Sequence, residues 1–469
     1  MDNHDLEILI KKKQEYFNTL ESINFLIRTN QLSKSIKLIR KLRNSRFCDK
    51  NFFYTYALFS FKRSNYSKTI SILEKLDKQY GFFEKSNNLL VESLIFNEKH
   101  HIAKKIARKT ISINKLSFIS HYFLGVIHTE LGDFKKAEKN FLNSLKIKKD
   151  YAPSHYQISR IRKYKKKCKY IKTLEILSEK SEISDKPFYD FSLAKYYDGM
   201  KDFRSSLFYL KKGNTQKKFN SKKFKINDFI LNCKLKRRLV FLNRQKILCK
   251  NNNIFIVGMP RTGSTLIENI FSTNPQVKNG GETSLIDRCI LKQKGSTYGA
   301  LESNILNTNY NALFINPKKK KILTDKTLFN FLNIPVIINS FPKSKIIEII
   351  REKEEVIWSI YKNNFQSSIM NFSYSLKDIE KFYKYYKVVM NYFKKKYPDK
   401  ILSVSYEKFI KNPIQESQKI YNYCGLKWDN SFINFQDKKI IIKTSSSTQL
   451  REDIFKTPQE NFKQYKKLI

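Results

Sequence analysis

From Tyr16 to about residue 219, apolar and small side chains recur at helical spacing in paired segments, and the pairs repeat every 34 residues. The clearest unit begins at Phe118. Leu124-Gly125 fall in its first helix, Gly132-Asp133-Phe134 form the turn, and Ala137 and Phe141 face inward from the second helix. Stepping back one period at a time gives windows from Glu84, Lys50 and Tyr16, which place Ala103, Thr69 and Ser35 at the Ala137 position. The Phe141 position is filled by Ala107, Leu73 and Ile39. The window from Ala152 departs from this template, with Lys166-Lys167-Cys168 at the turn and Glu175 at the Phe141 position. It recovers near Pro187, through Leu193-Ala194, Asp202-Phe203, Ser206 and Leu210. The pattern predicts a helical solenoid over residues 16–219. A polar, lysine-rich stretch follows at 220–250 and becomes helical through Phe229, Leu231, Leu235 and Leu239, so it reads as a connecting helix. Beyond Asn251 the periodicity changes: apolar runs at Ile254 to Val257, Ile346 to Ile350 and Ile401 to Val404 are each followed by a helical pattern. That alternation predicts an α/β domain over 251–469 built on a parallel sheet.

The first of these runs leads into Gly258-Met-Pro-Arg-Thr-Gly-Ser-Thr265, a strand, loop and helix start whose free amides suit an anion. Gly258 and Gly263 have the glycine spacing of a Walker loop, but Ser264 stands where the lysine belongs and the fixed cation is Arg261. The loop therefore fits a nucleotide whose transferred group is not a metal-bound γ-phosphate. Arg351 ends the second run, at the strand edge where open α/β sheets bind ligands, with Ser359 two turns into the next helix. A guanidinium fork beside a hydroxyl suits a terminal phosphate dianion.

Composition narrows the partners less than it first promises. The formal charge is +49, which would point to a polyanion. Lysine is spread through both halves, however, and its joint use with asparagine, isoleucine, phenylalanine and tyrosine is also what AT-rich coding bias produces. No nucleic-acid partner is expected. The six cysteines, at 48, 168, 233, 249, 289 and 424, are too scattered for a metal site or disulfide framework, so no metal is expected. Charges interrupt the N-terminal segment, and no apolar run is long enough for a membrane helix, which favours an unexported, cytoplasmic protein. All histidines, at 4, 100, 101, 121, 128 and 155, lie in the repeat half. A proton-abstracting group after residue 155 must be something else.

The 34-residue unit resembles the tetratricopeptide (TPR) helix pair, and the phosphate loop resembles that of sulfotransferases using 3′-phosphoadenosine 5′-phosphosulfate (PAPS). Gly280-Gly281-Glu282-Thr283 is similar to the Gly-Glu motif of the protein-tyrosine and TPR-containing sulfotransferases, and Asp325-Lys326-Thr327 to their Asn/Asp-Lys motif. The resemblance implies that Gly263, Ser264, Thr265 and Leu266 hold the 5′-phosphate, with Thr262 also among the cofactor-binding residues. Arg261 would lie near the sulfonyl group, and Arg351 and Ser359 would grip the 3′-phosphate. It further implies Glu282 as base and Lys326 as stabiliser of developing charge. Tyr406 would contact the nucleotide, while Ser446 and Arg451 would belong to a loop closing over it. Glu352-Lys353 after Arg351, and Asn363 where the family has an arginine, depart from the pattern. The implied activity is sulfonyl transfer from PAPS to a hydroxyl of a peptide, protein or glycan presented by the solenoid. Two rivals stay open: a TPR adaptor with a degenerate nucleotide domain, and a P-loop kinase relative.

Overall fold

The computed structural model describes residues 3–43, 45, 47–164, 170–221, 223–240, 252–293, 310, 322–433 and 460–468. The chain divides into two compact units, Met1–Ile158 and Ser159–Ile469.

The first unit is an array of antiparallel helix pairs: α1 (Asn3–Arg28) with α2 (Leu32–Arg43), α3 (Lys50–Lys62) with α4 (Tyr66–Tyr80), α5 (Glu84–Phe96) with α6 (His100–Ile113), and α7 (Phe118–Glu130) with α8 (Phe134–Ile147). The first helices α3, α5 and α7 begin 34 residues apart, as do their partners α4, α6 and α8. The helix α9 (Ala152–Ile161) starts one further period on. Each expected packing position is buried: Ala137, Ala103, Thr69 and Ser35 are at 0% exposure, and Phe141, Ala107, Leu73 and Ile39 do not exceed 3%. The turns repeat as well. Asn30, Ser64, Glu98 and Gly132 occupy equivalent positions and all take positive φ, at 58°, 55°, 62° and 81°. Glycine stands at only one of the four, where the left-handed conformation costs nothing.

The second unit opens with three more helices, α10 (Tyr170–Lys180), α11 (Lys186–Gly199) and α12 (Phe203–Asn220), followed by α13 (Ile226–Val240). Ser206 and Leu210 are buried as the repeat template requires. Glu175, at the degenerate packing position, instead accepts a hydrogen bond from the Tyr197 hydroxyl at 2.8 Å. The sheet that follows is wholly parallel among the described residues. Its strands are β1 (Ile254–Gly258), β2 (Val277–Asn279), β3 (Ile322–Asp325), β4 (Lys345–Ile350) and β5 (Ile401–Ser405), in the spatial order β2-β3-β1-β4-β5. Strands β1, β4 and β5 lie where the apolar runs put them. The sequence reading missed β2, of three residues, and β3, which carries polar Thr324 and Asp325. Helices α14 (Ser264–Asn269), α15 (Leu285–Gln293), α16 (Ile334–Ser340), α17 (Lys353–Tyr361), α18 (Leu376–Lys396), α19 (Tyr406–Lys411) and α20 (Pro413–Cys424) connect the strands or follow them, and α21 (Glu460–Lys466) comes last.

One sheet face packs on a core of Ile256, Ile267, Phe271, Ile347, Val404 and Tyr421, all at most 1% exposed. Glu348 of β4 is buried among these elements without being stranded, because Tyr386, Ser403 and Lys394 reach its two oxygens at 2.8, 2.6 and 3.0 Å. Helices α11, α12 and α21 are tied to α17. The Asn214 amide donates to the Tyr361 carbonyl at 3.0 Å, and the Tyr465 ring lies 4.3 Å from that of Trp358. The Tyr465 hydroxyl also bonds Asp198 at 2.6 Å and Ser206 at 2.8 Å. No helix among the described residues is long and apolar enough to cross a membrane.

Candidate active site

In a parallel sheet every strand delivers its carboxyl end to the same edge, and the chain here moves from β1 first to one side and then to the other. That switch point is where an open sheet leaves a crevice. Read across the edge in the order β2-β3-β1-β4-β5, the segments just past the strand ends carry Glu282, Lys326, Arg261, Arg351 and Tyr406. Five residues singled out from separate motifs thus fall on one line.

The loop after β1 is shaped by its glycines. Gly258 runs so close to β4 that a Cβ would come within 2.9 Å of the Ile349 carbonyl oxygen. Gly263 has φ of 93°, and a Cβ there would lie 2.4 Å from the Tyr406 ring. Arg261 itself holds φ of 70°, an uncommon left-handed conformation for a side-chain-bearing residue. It turns its Nε to the Ser359 hydroxyl at 3.1 Å. The Arg351 guanidinium stacks 4.6 Å from the centre of the Tyr406 ring, donates to the Arg261 carbonyl at 3.2 Å and pairs with Glu355 at 3.2 Å. Its Nε is buried without a partner. Arg261, Arg351, Ser359 and Tyr406 are therefore one contiguous cluster.

The remaining loop residues have different roles. Thr262 is buried, its hydroxyl donating to the Met259 carbonyl at 2.9 Å. Ser264 and Thr265 begin α14 as buried residues. The Leu266 amide donates to the Gly263 carbonyl at 3.0 Å, so here it closes the turn rather than facing a ligand. Asn363, the departure from the family pattern, donates its side-chain amide to the Ser359 carbonyl at 2.7 Å and fixes the helix end instead of adding a charge. Ser446 and Arg451 lie outside the described residues.

Beyond β2 and β3 sits the second cluster. Lys326, 2% exposed, donates to Glu282 at 2.9 Å, and Glu282 is itself 56% exposed. Lys326 also lies 4.0 Å from Glu268. Burial works to lower the Lys326 pKa, but the charges of Glu282 and Glu268 outweigh it and hold the ammonium above its ordinary range. Glu268 was not anticipated from sequence. It accepts from the Gly281 amide and the Thr324 hydroxyl, both at 2.9 Å, and burial raises its carboxyl against the opposing pull of Lys326. Its one signal was a lone acid within the apolar stretch Leu266 to Phe271. Asp325, beside Lys326, is fully buried and accepts from Tyr310, Thr283 and the Thr327 amide at 2.8, 3.2 and 3.0 Å. It braces the two loops rather than facing solvent. The exposed carboxylate can accept a proton from an incoming hydroxyl, while the fixed cation beside it can stabilise negative charge growing nearby.

The segment that carries this edge is similar to known proteins. Residues 253–430 match the model of the sulfotransferase family. An uncharacterized protein of Aquifex aeolicus is 26% identical over 235 residues, 46% of this chain and 31% of that protein. Protein-tyrosine sulfotransferase 2 of Gallus gallus is 22% identical over 199 residues, 39% of this chain and 54% of the relative. Among solved structures, the sulfotransferase domain from the curacin biosynthetic pathway aligns at 15% identity and a TM-score of 0.30, covering 46% of this chain and 97% of that domain. The chain thus spans about a third of the Aquifex protein and about half of the Gallus enzyme. The match to the sulfotransferase family thus covers residues 253–430, and the chain joins this segment to helix pairs of TPR-like period.

Proposed function

We propose that the protein transfers a sulfonyl group from PAPS to an acceptor hydroxyl, with residues 251–469 as the catalytic domain, 220–250 as connector and the 16–219 helices presenting the acceptor. The observation that carries the reading is the row of strand ends with Glu282, Lys326, Arg261, Arg351 and Tyr406. A nucleotide bisphosphate suits the chemistry on the page: two arginines converge beside Ser359, and the Arg351 Nε is buried with its hydrogen unused. PAPS would supply an activated sulfonyl group joined to phosphate. Glu282 takes the acceptor's proton as the new O–S bond forms. Arg261 and Lys326 hold the charge left on the sulfonyl and phosphate oxygens as the old S–O bond breaks and adenosine 3′,5′-bisphosphate departs. Ser446 and Arg451 belong to the same reading as donors to the transferring group and the nucleotide. Lys326 donates to Glu282 at 2.9 Å and so orients the candidate base beside the fixed cation. The acceptor class is a peptide, protein or glycan, and the proposed location is the cytoplasm.

The test has two arms. Calorimetry should give adenosine 3′,5′-bisphosphate a clear preference over AMP, about 10-fold or more, and Arg351→Ala should remove most of it. Mass spectrometry of peptides, glycans and lysate incubated with PAPS should reveal a product gaining a sulfonate. Equal affinity for the two nucleotides would overturn the donor assignment, whereas preferential binding without transfer to any acceptor would favour the adaptor.

A further inference from the structure

Glu268 is the single acid of α14, the helix that leaves the phosphate loop, and its side chain is 6% exposed. Its Oε1 accepts the Gly281 amide and the Thr324 hydroxyl, both at 2.9 Å. Thr324 in turn accepts the Gly280 amide on its hydroxyl at 3.2 Å and on its carbonyl at 3.0 Å, and the Lys326 amide donates to the Gly281 carbonyl at 2.9 Å. The Asn279 side chain donates to the Glu268 carbonyl at 3.1 Å. The phosphate-loop helix is thereby hydrogen-bonded to the segments that carry the candidate base and its cation. Satisfied bonds in a dry interior fix the register of all three segments.

The second oxygen of Glu268 lies 4.0 Å from the Lys326 ammonium. Lys326 thus sits between two carboxylates of opposite character: Glu282 at 2.9 Å, mostly exposed, and Glu268, buried and tied through its other oxygen. Asp325 is a third acid acting on Lys326, and its oxygens are taken by Tyr310, Thr283 and the Thr327 amide. Burial disfavours the ammonium, whereas Glu282, Glu268 and Asp325 favour it. In the proposed reaction Glu282 becomes neutral as it takes the acceptor's proton, at the moment negative charge grows beside Lys326. An ammonium so far from water then needs another anion to keep its own proton. Glu268 gains from the same event: burial and the charge of Glu282 oppose its ionisation, and the second of these vanishes.

We propose that Glu268 is a positioning residue of the transfer step: it fixes the Gly281-Glu282 loop against the phosphate-loop helix and remains the counter-ion of Lys326 after Glu282 is protonated. The acceptor's proton ends on Glu282, Lys326 keeps its own, and Glu268 stays a carboxylate throughout. This rests on the sulfonyl-transfer reading above and adds to it a residue that acts through two others.

The experiment uses the full chain, with Glu282→Gln imitating the protonated base, and reads stability by urea titration at pH 7 and about pH 9.5. In Glu282→Gln, Lys326 still faces Glu268 and stays charged at both. In Glu268→Gln/Glu282→Gln it loses both partners, so the folded state sheds a proton that the unfolded chain keeps, and stability rises with pH. Relative to Glu282→Gln, the folding constant of the double variant should increase about 10-fold or more between the two pH values, and adding Lys326→Met should abolish the increase. Hydrogen exchange reads the mechanical role. Glu268→Ala should speed exchange of the Gly281 amide about 10-fold or more, and Glu268→Gln, which keeps a carbonyl acceptor, should restore the wild-type rate. A double variant unfolded at pH 7 but folded at the higher pH is the same result, and if it is unfolded at both, the exchange measurement decides. Equal stability losses at the two pH values, or Gly281 exchange untouched by Glu268→Ala, would overturn the inference. Wild-type binding of adenosine 3′,5′-bisphosphate and AMP is measured alongside. If the bisphosphate is not preferred, the sulfonyl-transfer reading falls and takes this inference with it; if it is preferred, failure of the other measurements refutes only the role of Glu268.

Discussion

At the scale of single residues, the candidate base and its neighbour are a matched pair of opposite exposure, and their substitutions should behave differently from nucleotide-site changes. Glu282→Gln keeps size and hydrogen-bonding shape but abolishes basicity, so turnover should fall about 100-fold or more while bisphosphate affinity holds. Lys326→Ala should lower turnover by a comparable factor, with the further consequence that Glu268 loses its nearest cation. Steady-state kinetics beside calorimetry separates the two effects, and unchanged turnover in Glu282→Gln with chemistry rate-limiting would remove it as the base. Glu282, Lys326, Arg261 and Arg351 were legible because each sits in a short motif with recognisable spacing. Glu268 was not: its importance comes from burial and from neighbours tens of residues away, Gly281, Thr324 and Lys326, which no local pattern records.

At the scale of elements, the solenoid was readable because small and large residues alternate at fixed phase, and the structure buries them at that phase. The turns are where the repeats differ. Gly132-Asp133 combines the residue suited to positive φ with a side chain that accepts the Lys136 amide at 3.2 Å and caps α8. Earlier turns have one feature or neither: Ser64 bears φ of 55°, and Lys99 precedes α6 without a side-chain cap. Copying the better turn should stabilise the protein. Ser64→Gly relieves a left-handed strain and Lys99→Asp supplies a cap, each raising stability by about 0.5–1 kcal/mol in denaturant titrations. A loss of stability in both would show that the equivalence of the turns is only geometric. Within the sheet, β1, β4 and β5 were legible as apolar runs. The short β2 and polar β3 are held by pairing to their neighbours and by the buried Asp325 and Glu268 networks, which are long-range facts.

At the scale of the whole molecule, the second unit is held together by contacts between segments far apart in sequence. Tyr465 is the most economical of them. Its ring packs on Trp358 and its hydroxyl joins Asp198 to Ser206. Tyr465→Phe leaves the ring in place but removes a hydroxyl bonded to half-buried Asp198 and buried Ser206, and should cost about 1–3 kcal/mol by chemical denaturation. A neutral result would mean that water replaces the hydroxyl without loss. The same residue has a temporal meaning. During synthesis Asp198 and Ser206 emerge from the ribosome long before Trp358, and Tyr465 last of the four. Helices α11 and α12 and the helix bearing Ser359 must therefore wait for a residue more than a hundred positions downstream before this junction can close. That junction is then among the last parts of the second unit to close, after all five strands of the sheet have already been made.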